Sequence, residues 1–209
     1  MAGLTDYAEN KVADALFRGQ ALGAPATLYV ALILLNKGAW VASTAFALND
    51  YILAASAAGN RIYKVTTAGT TAGSAPTWPT AFAGTVSDGS VVWTEQTQAL
   101  EAGTFTEVSG GSYARVAVTA SLANFAGTQS AGSTTASSGT AATTSNNAAI
   151  TFSPNPTANW GYIGGAMIYD ASTAGNPWSY EYATSLTYAG LGNTVSFPIA
   201  SLTFSTDNA

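Results

Sequence analysis

The pattern of apolar and polar positions predicts one helix near the N-terminus, followed by many short strands. Over residues 4–19, apolar side chains recur at helical spacing and charged side chains occupy the other side. Thr5 or Asp6 is suited to begin this helix, and Gly19 is suited to end it. We expect a helix that closes one end of a sheet; the alternative is a helix that binds a partner.

Most of the remaining chain is typical of β-structure. Residues 26–35 are an apolar run with the length and branching of a strand buried on both faces. Short alternating segments separated by turn residues then predict strands at 113–119, 148–152, 160–170, 178–183, 194–197 and 201–204. The pair Gly164–Gly165 predicts a bulge or a close backbone approach. The fold class expected is mainly β, a sandwich or jelly-roll-like domain with one N-terminal helix.

Residues 127–147 contain no charged residue and almost no large apolar residue. This composition is typical of a flexible loop or linker. An extended arm that lies on a neighbouring subunit is the alternative, and the sequence alone does not separate the two.

Residues 38–98 differ in composition from the segments on either side. They hold three of the five tryptophans, with turn signals at Asn49–Asp50 and Asp88–Gly89 between β-type runs. We predict a small antiparallel β-module, residues 38–98, inserted into a discontinuous host domain formed by 1–37 and 99–209.

The aromatic residues of this module have two interpretations. Trp40 and Trp93 are expected in its core. Trp78 lies between Thr77 and Pro79 in a predicted loop, which makes it the best candidate for an exposed ring. Trp78, Tyr51 and Tyr63 are therefore candidate contacts to a host-surface glycan, because a flat exposed ring stacks on a sugar.

Composition excludes several classes of function. Only 8% of the 209 residues are charged, the net charge is −5, and the chain contains no Cys and no His. A nucleic-acid partner is not expected, because a basic surface is needed to bind one. The longest apolar run is about half of a membrane span, and no secretory signal is recognised, so no membrane partner is expected. A surface with so little charge suits contacts between copies, and we expect a homo-oligomer, a trimer.

No arrangement of residues indicates an enzyme. The carboxylate pairs considered for glycoside hydrolysis are Asp50 with Asp88 and Glu95 with Glu101, but turn positions explain the first pair. A serine triad requires a histidine, and Lys11, Lys37 and Lys64 have no motif around them. Neither a phosphate-binding loop nor a calcium-loop motif occurs, so no catalytic residue, cofactor or metal site is predicted.

Arg115 is the most informative charge, because it lies in an otherwise uncharged predicted strand. It either extends to solvent or pairs with an acid such as Glu107 or Asp170 at a subunit contact. Tyr113, which follows two glycines, is expected to pack over the turn into this strand. Arg115 and Tyr113 are thus candidate subunit contacts.

Two resemblances to known families concern different parts of the chain. The 38–98 module resembles a repeat found in many tailed-phage structural proteins, through Trp40, NDY at 49–51, GNRIYKVTTAGT at 59–70, PTWP at 76–79 and VSDGSVVW at 86–93. It also resembles, more weakly, small chitin- and cellulose-type carbohydrate-binding modules.

The host segments resemble small phage virion proteins often labelled tail fibre proteins, through DYAENKVADALFRG at 6–19, APATLYVAL at 24–32, TEVSGGSYARVAV at 106–118, AITF at 149–152, Trp160–Gly161 and IYDA at 168–171.

The resemblance implies a non-enzymatic structural protein of the virion, assembled in the bacterial cytoplasm. Within that class, we expect a capsid decoration (cement) protein that binds the major capsid protein or other virion proteins. The alternatives are a tail fibre or tail-tip component that contacts the host surface, and a carbohydrate-binding module protein.

Overall fold

The computed structural model describes residues 2–54, 60–138, 140, 142–153 and 156–206. The protein is mainly β with several antiparallel sheets, consistent with a β-sandwich-like domain as the sequence predicts. In chain order the elements are β1 (Ala2–Leu4), α1 (Asp6–Arg18), β2 (Thr27–Leu35), β3 (Gly38–Ala39), β4 (Ala45–Phe46), β5 (Tyr51–Ala54), β6 (Arg61–Thr67), β7 (Gly69–Thr70), β8 (Thr85–Asp88), β9 (Val91–Glu95), α2 (Thr97–Glu101), β10 (Val116–Thr119), β11 (Thr143–Ser145), β12 (Ile150–Phe152), β13 (Gly161–Tyr169), β14 (Pro177–Ala189), β15 (Val195–Phe197) and β16 (Thr203–Ser205).

Helix α1 begins and ends where its sequence predicts. The Thr5 hydroxyl oxygen accepts a hydrogen bond from the Ala8 N–H at 3.4 Å, which satisfies one of the free amides of the first turn. Gly19 adopts φ 66°, a left-handed conformation that ends the helix at little cost for a residue without a side chain. Neither this helix nor any other within the described ranges is both long and apolar enough to cross a membrane.

The N-terminal part of α1 packs on the rest of the protein. Ala8 is buried, and the Tyr7 ring meets the Trp178 ring of β14 edge-on with centroids 5.5 Å apart. Toward the C-terminal end, Leu16 is 71% exposed and Phe17 is 84% exposed. The predicted apolar stripe is therefore buried at one end of the helix and open to solvent at the other.

A five-stranded sheet, hereafter the central sheet, has the strand order β1-β14-β13-β2-β10 with all neighbours antiparallel. Strand β2 is buried on both faces, as predicted. Its alternate side chains enter two different apolar clusters: Val30 and Leu32 enter one, while Ala31 and Ile33 enter the other. The central sheet is therefore the middle of three layers.

The glycine pair in β13 marks a bulge, as the sequence predicts. The register of β13 shifts between Ile163 and Gly165 against both of its neighbours. At Gly165 a side chain has no room, because its Cβ would collide with the carbonyl oxygen of Glu181 on β14. Glycine is required at this position so that two strands can approach closely.

One face of the central sheet is covered by two short strand pairs, β12–β15 and β11–β16. Phe152, Val195 and Phe204 from these strands fill the apolar cluster above β2 and β13. This arrangement gives the sandwich-like half of the protein.

The other face is covered by a second five-stranded sheet, β3-β5-β6-β9-β8, made entirely from residues 38–95. Its strands are antiparallel except for the parallel pair β3–β5, which the sequence did not predict. Leu53 and Ile62 of this sheet pack with Met167 and Tyr182 of the central sheet, so the two sheets share a core. The division into a host domain and a 38–98 module stays a prediction.

The polar segment that was predicted as a loop or an arm folds back on itself where it is described. The Gln129 amide donates to the hydroxyl oxygens of Ser133 at 2.6 Å and Thr135 at 2.8 Å. Farther on, β11 pairs with β16 in the same chain. Gly59, the first residue of the 59–70 motif quoted above, lies outside the described residues.

Candidate functional site

The aromatic residues of the second sheet form a cluster inside the sheet rather than a platform on it. The Tyr63 and Trp78 ring centroids are 4.5 Å apart, and Trp78 meets Trp93 edge-on at 5.8 Å. The Tyr63 hydroxyl donates to the Pro79 carbonyl oxygen at 2.7 Å, and burial raises the pKa of Tyr63 to about 12. Phe46 closes the cluster against Trp93.

The expectation that Trp78 and Tyr63 are exposed is wrong. Trp78 is 8% exposed and Tyr63 is fully buried, because each ring packs against another ring of the cluster. A buried ring presents no face on which a sugar can stack. Tyr51 is partly exposed, with the Lys64 ammonium 5.7 Å from its ring centroid, and its contact with a glycan stays a prediction.

Asp88, considered in the sequence as half of a carboxylate pair, is a buried hydrogen-bond acceptor. Its Oδ2 accepts from the indole N–H groups of Trp40 at 2.7 Å and Trp93 at 3.0 Å. Its Oδ1 accepts from the Ala72 N–H at 2.8 Å. These donors occupy both oxygens, so the carboxylate holds two tryptophans and a loop in place.

Asp50, the other member of that pair, has a similar structural role. It accepts hydrogen bonds from the Asn36 side-chain amide and the Ala47 N–H, each at 2.8 Å, and lies 3.6 Å from the Lys37 ammonium. The bond to Ala47 is the local backbone contact that its turn position predicts.

A polar network that the sequence did not predict links the second sheet to the central sheet. Arg61 Nη1 lies 2.9 Å from Glu95 Oε1, and their side chains are 8% and 0% exposed. The Thr97 N–H donates to Glu95 Oε2 at 3.0 Å. The Thr97 hydroxyl contacts the Tyr182 hydroxyl at 2.6 Å, and Tyr182 belongs to the central sheet. Removing one partner of such a buried charge pair leaves the other charge uncompensated, which strongly destabilises the fold.

The two carboxylates proposed as an alternative pair, Glu95 and Glu101, have separate partners. Glu95 belongs to the network just described, while Glu101 accepts a hydrogen bond from the Tyr180 hydroxyl at 3.1 Å. Each carboxylate thus has a packing partner of its own.

Arg115 pairs with Glu107 within the same chain. Two parallel hydrogen bonds join them, Nε to Oε1 at 2.9 Å and Nη2 to Oε2 at 2.8 Å. The remaining donor, Nη1, reaches the carbonyl oxygens of Ala171 at 2.9 Å and Ala174 at 2.7 Å. The guanidinium carbon lies 3.6 Å above the Tyr169 ring centroid. A planar fork with five donors suits this combination of a carboxylate, carbonyls and a ring.

Tyr113 completes this group beneath a glycine turn. Its hydroxyl donates to Glu107 Oε1 at 2.8 Å and accepts from the Leu32 N–H at 3.0 Å. Gly110 and Gly111 both have positive φ, which the turn into the strand requires. Of the two alternatives for Arg115, extension to solvent is wrong, and the pairing with Glu107 occurs within one chain rather than between subunits. A role for Arg115 and Tyr113 in a subunit contact stays a prediction.

The chain matches the model of a known protein family. A family model described as "Podophage GP4 fiber I protein gp80" matches residues 3–100 and 92–205, which together span almost the whole chain. A search of curated proteins finds no match. The chain therefore belongs to the podophage GP4 fiber I protein gp80 family, a family of phage virion structural proteins.

Proposed function

We propose that this chain is a non-enzymatic component of a podophage tail fibre. The observation that carries the proposal is the match to a fibre-protein family across residues 3–205. The buried carboxylates of Asp50, Asp88 and Glu95 support it, because internal donors occupy the groups that a hydrolase would need.

The sequence-based expectation of a capsid decoration protein has less support than the tail-fibre alternative. The matched family is named for a fibre, and nothing in that name points to a capsid shell. The following experiment distinguishes a capsid decoration protein from a tail-fibre component.

We expect this protein on the tail of purified virions, at a copy number far below that of the major capsid protein. Quantitative mass spectrometry gives the ratio of the two proteins, and electron microscopy with a gold-labelled antibody gives the position. Gold on the tail, with a low ratio, supports a fibre. A ratio near one, with gold over the whole head, would overturn the fibre proposal.

We also propose that copies of this chain associate, as a trimer, through the open end of α1. Leu16 and Phe17 are apolar and highly exposed there, and a contact between copies would remove them from water. This part of the proposal concerns assembly and is separate from the position of the protein on the particle.

We expect Phe17→Ser to reduce the mass of the oligomer to that of the monomer, as measured by light scattering after size-exclusion chromatography. The free energy of unfolding should change by no more than about 0.5 kcal/mol, because the side chain is exposed in one chain. Leu48→Ser, at a 58%-exposed site in the turn between β4 and β5, is the matched control and should leave the mass unchanged. An unchanged mass in Phe17→Ser, or a monomeric starting protein, contradicts association through α1.

A further inference from the structure

A cavity of about 280 Å³ opens beside β14, between that strand and β15. At roughly 30 Å³ for each water molecule in the liquid, this space equals about nine waters. It is therefore large enough for one small polar ligand and too small for an extended one.

A buried carboxylate, Glu181, forms part of the wall of this cavity, and the positive charge of the N-terminal ammonium group lowers its pKa. Glu181 is 5% exposed and lines the cavity. It accepts hydrogen bonds from Thr203, from the N–H to Oε2 at 2.5 Å and from the hydroxyl to Oε1 at 2.6 Å. None of the four ion pairs in the described part of the chain includes it. An ionised carboxylate has about four acceptor sites, so each oxygen can accept a further hydrogen bond.

The walls of the cavity are rich in hydroxyl groups and carry one aromatic ring. Thr184, Ser185, Thr187 and Ser196 line them, and each hydroxyl can both donate and accept a hydrogen bond. The ring of Phe197 on β15 is partly exposed. A small number of polar groups beside an apolar surface is the usual composition of a small-molecule site.

These groups favour a neutral ligand with several hydroxyls. An anion would meet the Glu181 carboxylate, and the lining includes no basic residue. A divalent cation prefers several oxygen ligands of high charge, and the cavity offers one carboxylate. Hydroxyl donors, by contrast, form short and strong hydrogen bonds to a carboxylate.

We propose that this cavity binds one pyranose unit of a neutral saccharide, with Glu181 accepting hydrogen bonds from sugar hydroxyls and Phe197 contacting a C–H face of the ring. The site is distinct from the aromatic residues of the second sheet that the sequence suggested. The inference that the saccharide belongs to the host surface rests on the proposed fibre function. The binding of a saccharide in this cavity does not depend on that function.

The test uses the full chain at about pH 8 and a set of methyl glycosides of glucose, galactose, mannose and rhamnose, observed by ligand-detected NMR. We expect saturable binding of at least one glycoside. Ser185→Trp fills the cavity and should weaken that binding at least tenfold. Ser87→Trp, at an exposed serine on edge strand β8, is the matched control and should bind like the unaltered protein.

Three results would overturn the proposal: no saturable binding of any of the four glycosides, equal binding by the Ser185→Trp variant, or saturable binding of choline alone. Glu181→Gln keeps the shape of the cavity wall but removes its charge, and it should also weaken binding while the chain stays folded by circular dichroism. If the protein binds a glycoside but is located on the capsid, the saccharide site is supported and the fibre function is contradicted. If the protein is located on the tail but binds no glycoside, the fibre function is supported and the saccharide site is contradicted.

Discussion

Replacing Arg61 with methionine is expected to lower the free energy of unfolding by about 3–5 kcal/mol. Methionine keeps much of the volume but leaves the Glu95 carboxylate, whose side chain is fully buried, without its cation. The loss is large because the ion pair that offsets the desolvation of this buried carboxylate is then gone. Urea denaturation followed by tryptophan fluorescence measures the change.

Two further variants separate charge from packing. Arg61→Met combined with Glu95→Gln should recover a large part of the loss, because the buried charge is then gone. Arg18→Met removes a similar pair with Asp14 at the surface, where the side chains are 73% and 37% exposed, and should cost less than about 0.5 kcal/mol. If Arg61→Met costs no more than Arg18→Met, the buried pair does not stabilise the fold in this way.

The stability of the protein is expected to fall by about 3 kcal/mol through Glu181 as the pH rises from about 4 to about 8. Burial raises the pKa of Glu181 from 4.5 to about 7, and the hydrogen bonds from Thr203 only partly offset this. Below pH 4.5 the carboxyl is protonated in both states and costs nothing. Between pH 4.5 and 7 Glu181 loses its proton in the unfolded chain but keeps it in the folded chain, so folding becomes less favourable. Above pH 7 the carboxyl is ionised in both states, and the full loss of stability is present.

Glu181→Gln isolates this contribution from the other acids. The neighbouring strands β1, β13 and β16 contain no Asp, Glu, Lys or Arg, and the charge that acts on Glu181 from beside β1 is the N-terminal ammonium group, which lowers its pKa and offsets part of the effect of burial. The difference in unfolding free energy between the variant and the unaltered protein should grow steadily from pH 4 to pH 8. A difference that is constant over this range contradicts the raised pKa.

Local features of this fold were predictable because their causes lie within a few residues. Thr5 and Gly19 define the ends of α1 by contacts inside one turn. The unbroken apolar run at β2 predicts burial on both faces, and the glycines of β13 predict its bulge. In each case the signal depends on the neighbours in sequence and not on the topology.

The contacts that define the candidate sites depend on residues far apart in the chain, and the sequence did not predict them. Arg61 meets Glu95 only because β6 and β9 are neighbours, and Tyr182 joins them from another sheet. Trp78 lies in a loop flanked by polar and proline residues, a typical setting for an exposed ring, yet tertiary packing buries it. No neighbouring residue in the sequence indicates that Glu181 is buried, because its burial depends on how the C-terminal strands cover β14.

The three-layer arrangement limits how this chain can be shortened. Joining residue 37 to residue 102 would preserve the connection between neighbouring strands, but it would remove Leu53, Ile62 and Leu100 from the face that holds Met167 and Tyr180. A truncated chain would then carry a wide apolar sheet surface in water, which favours aggregation. Residues 38–101 are therefore better exchanged for a segment that covers the same apolar surface than deleted.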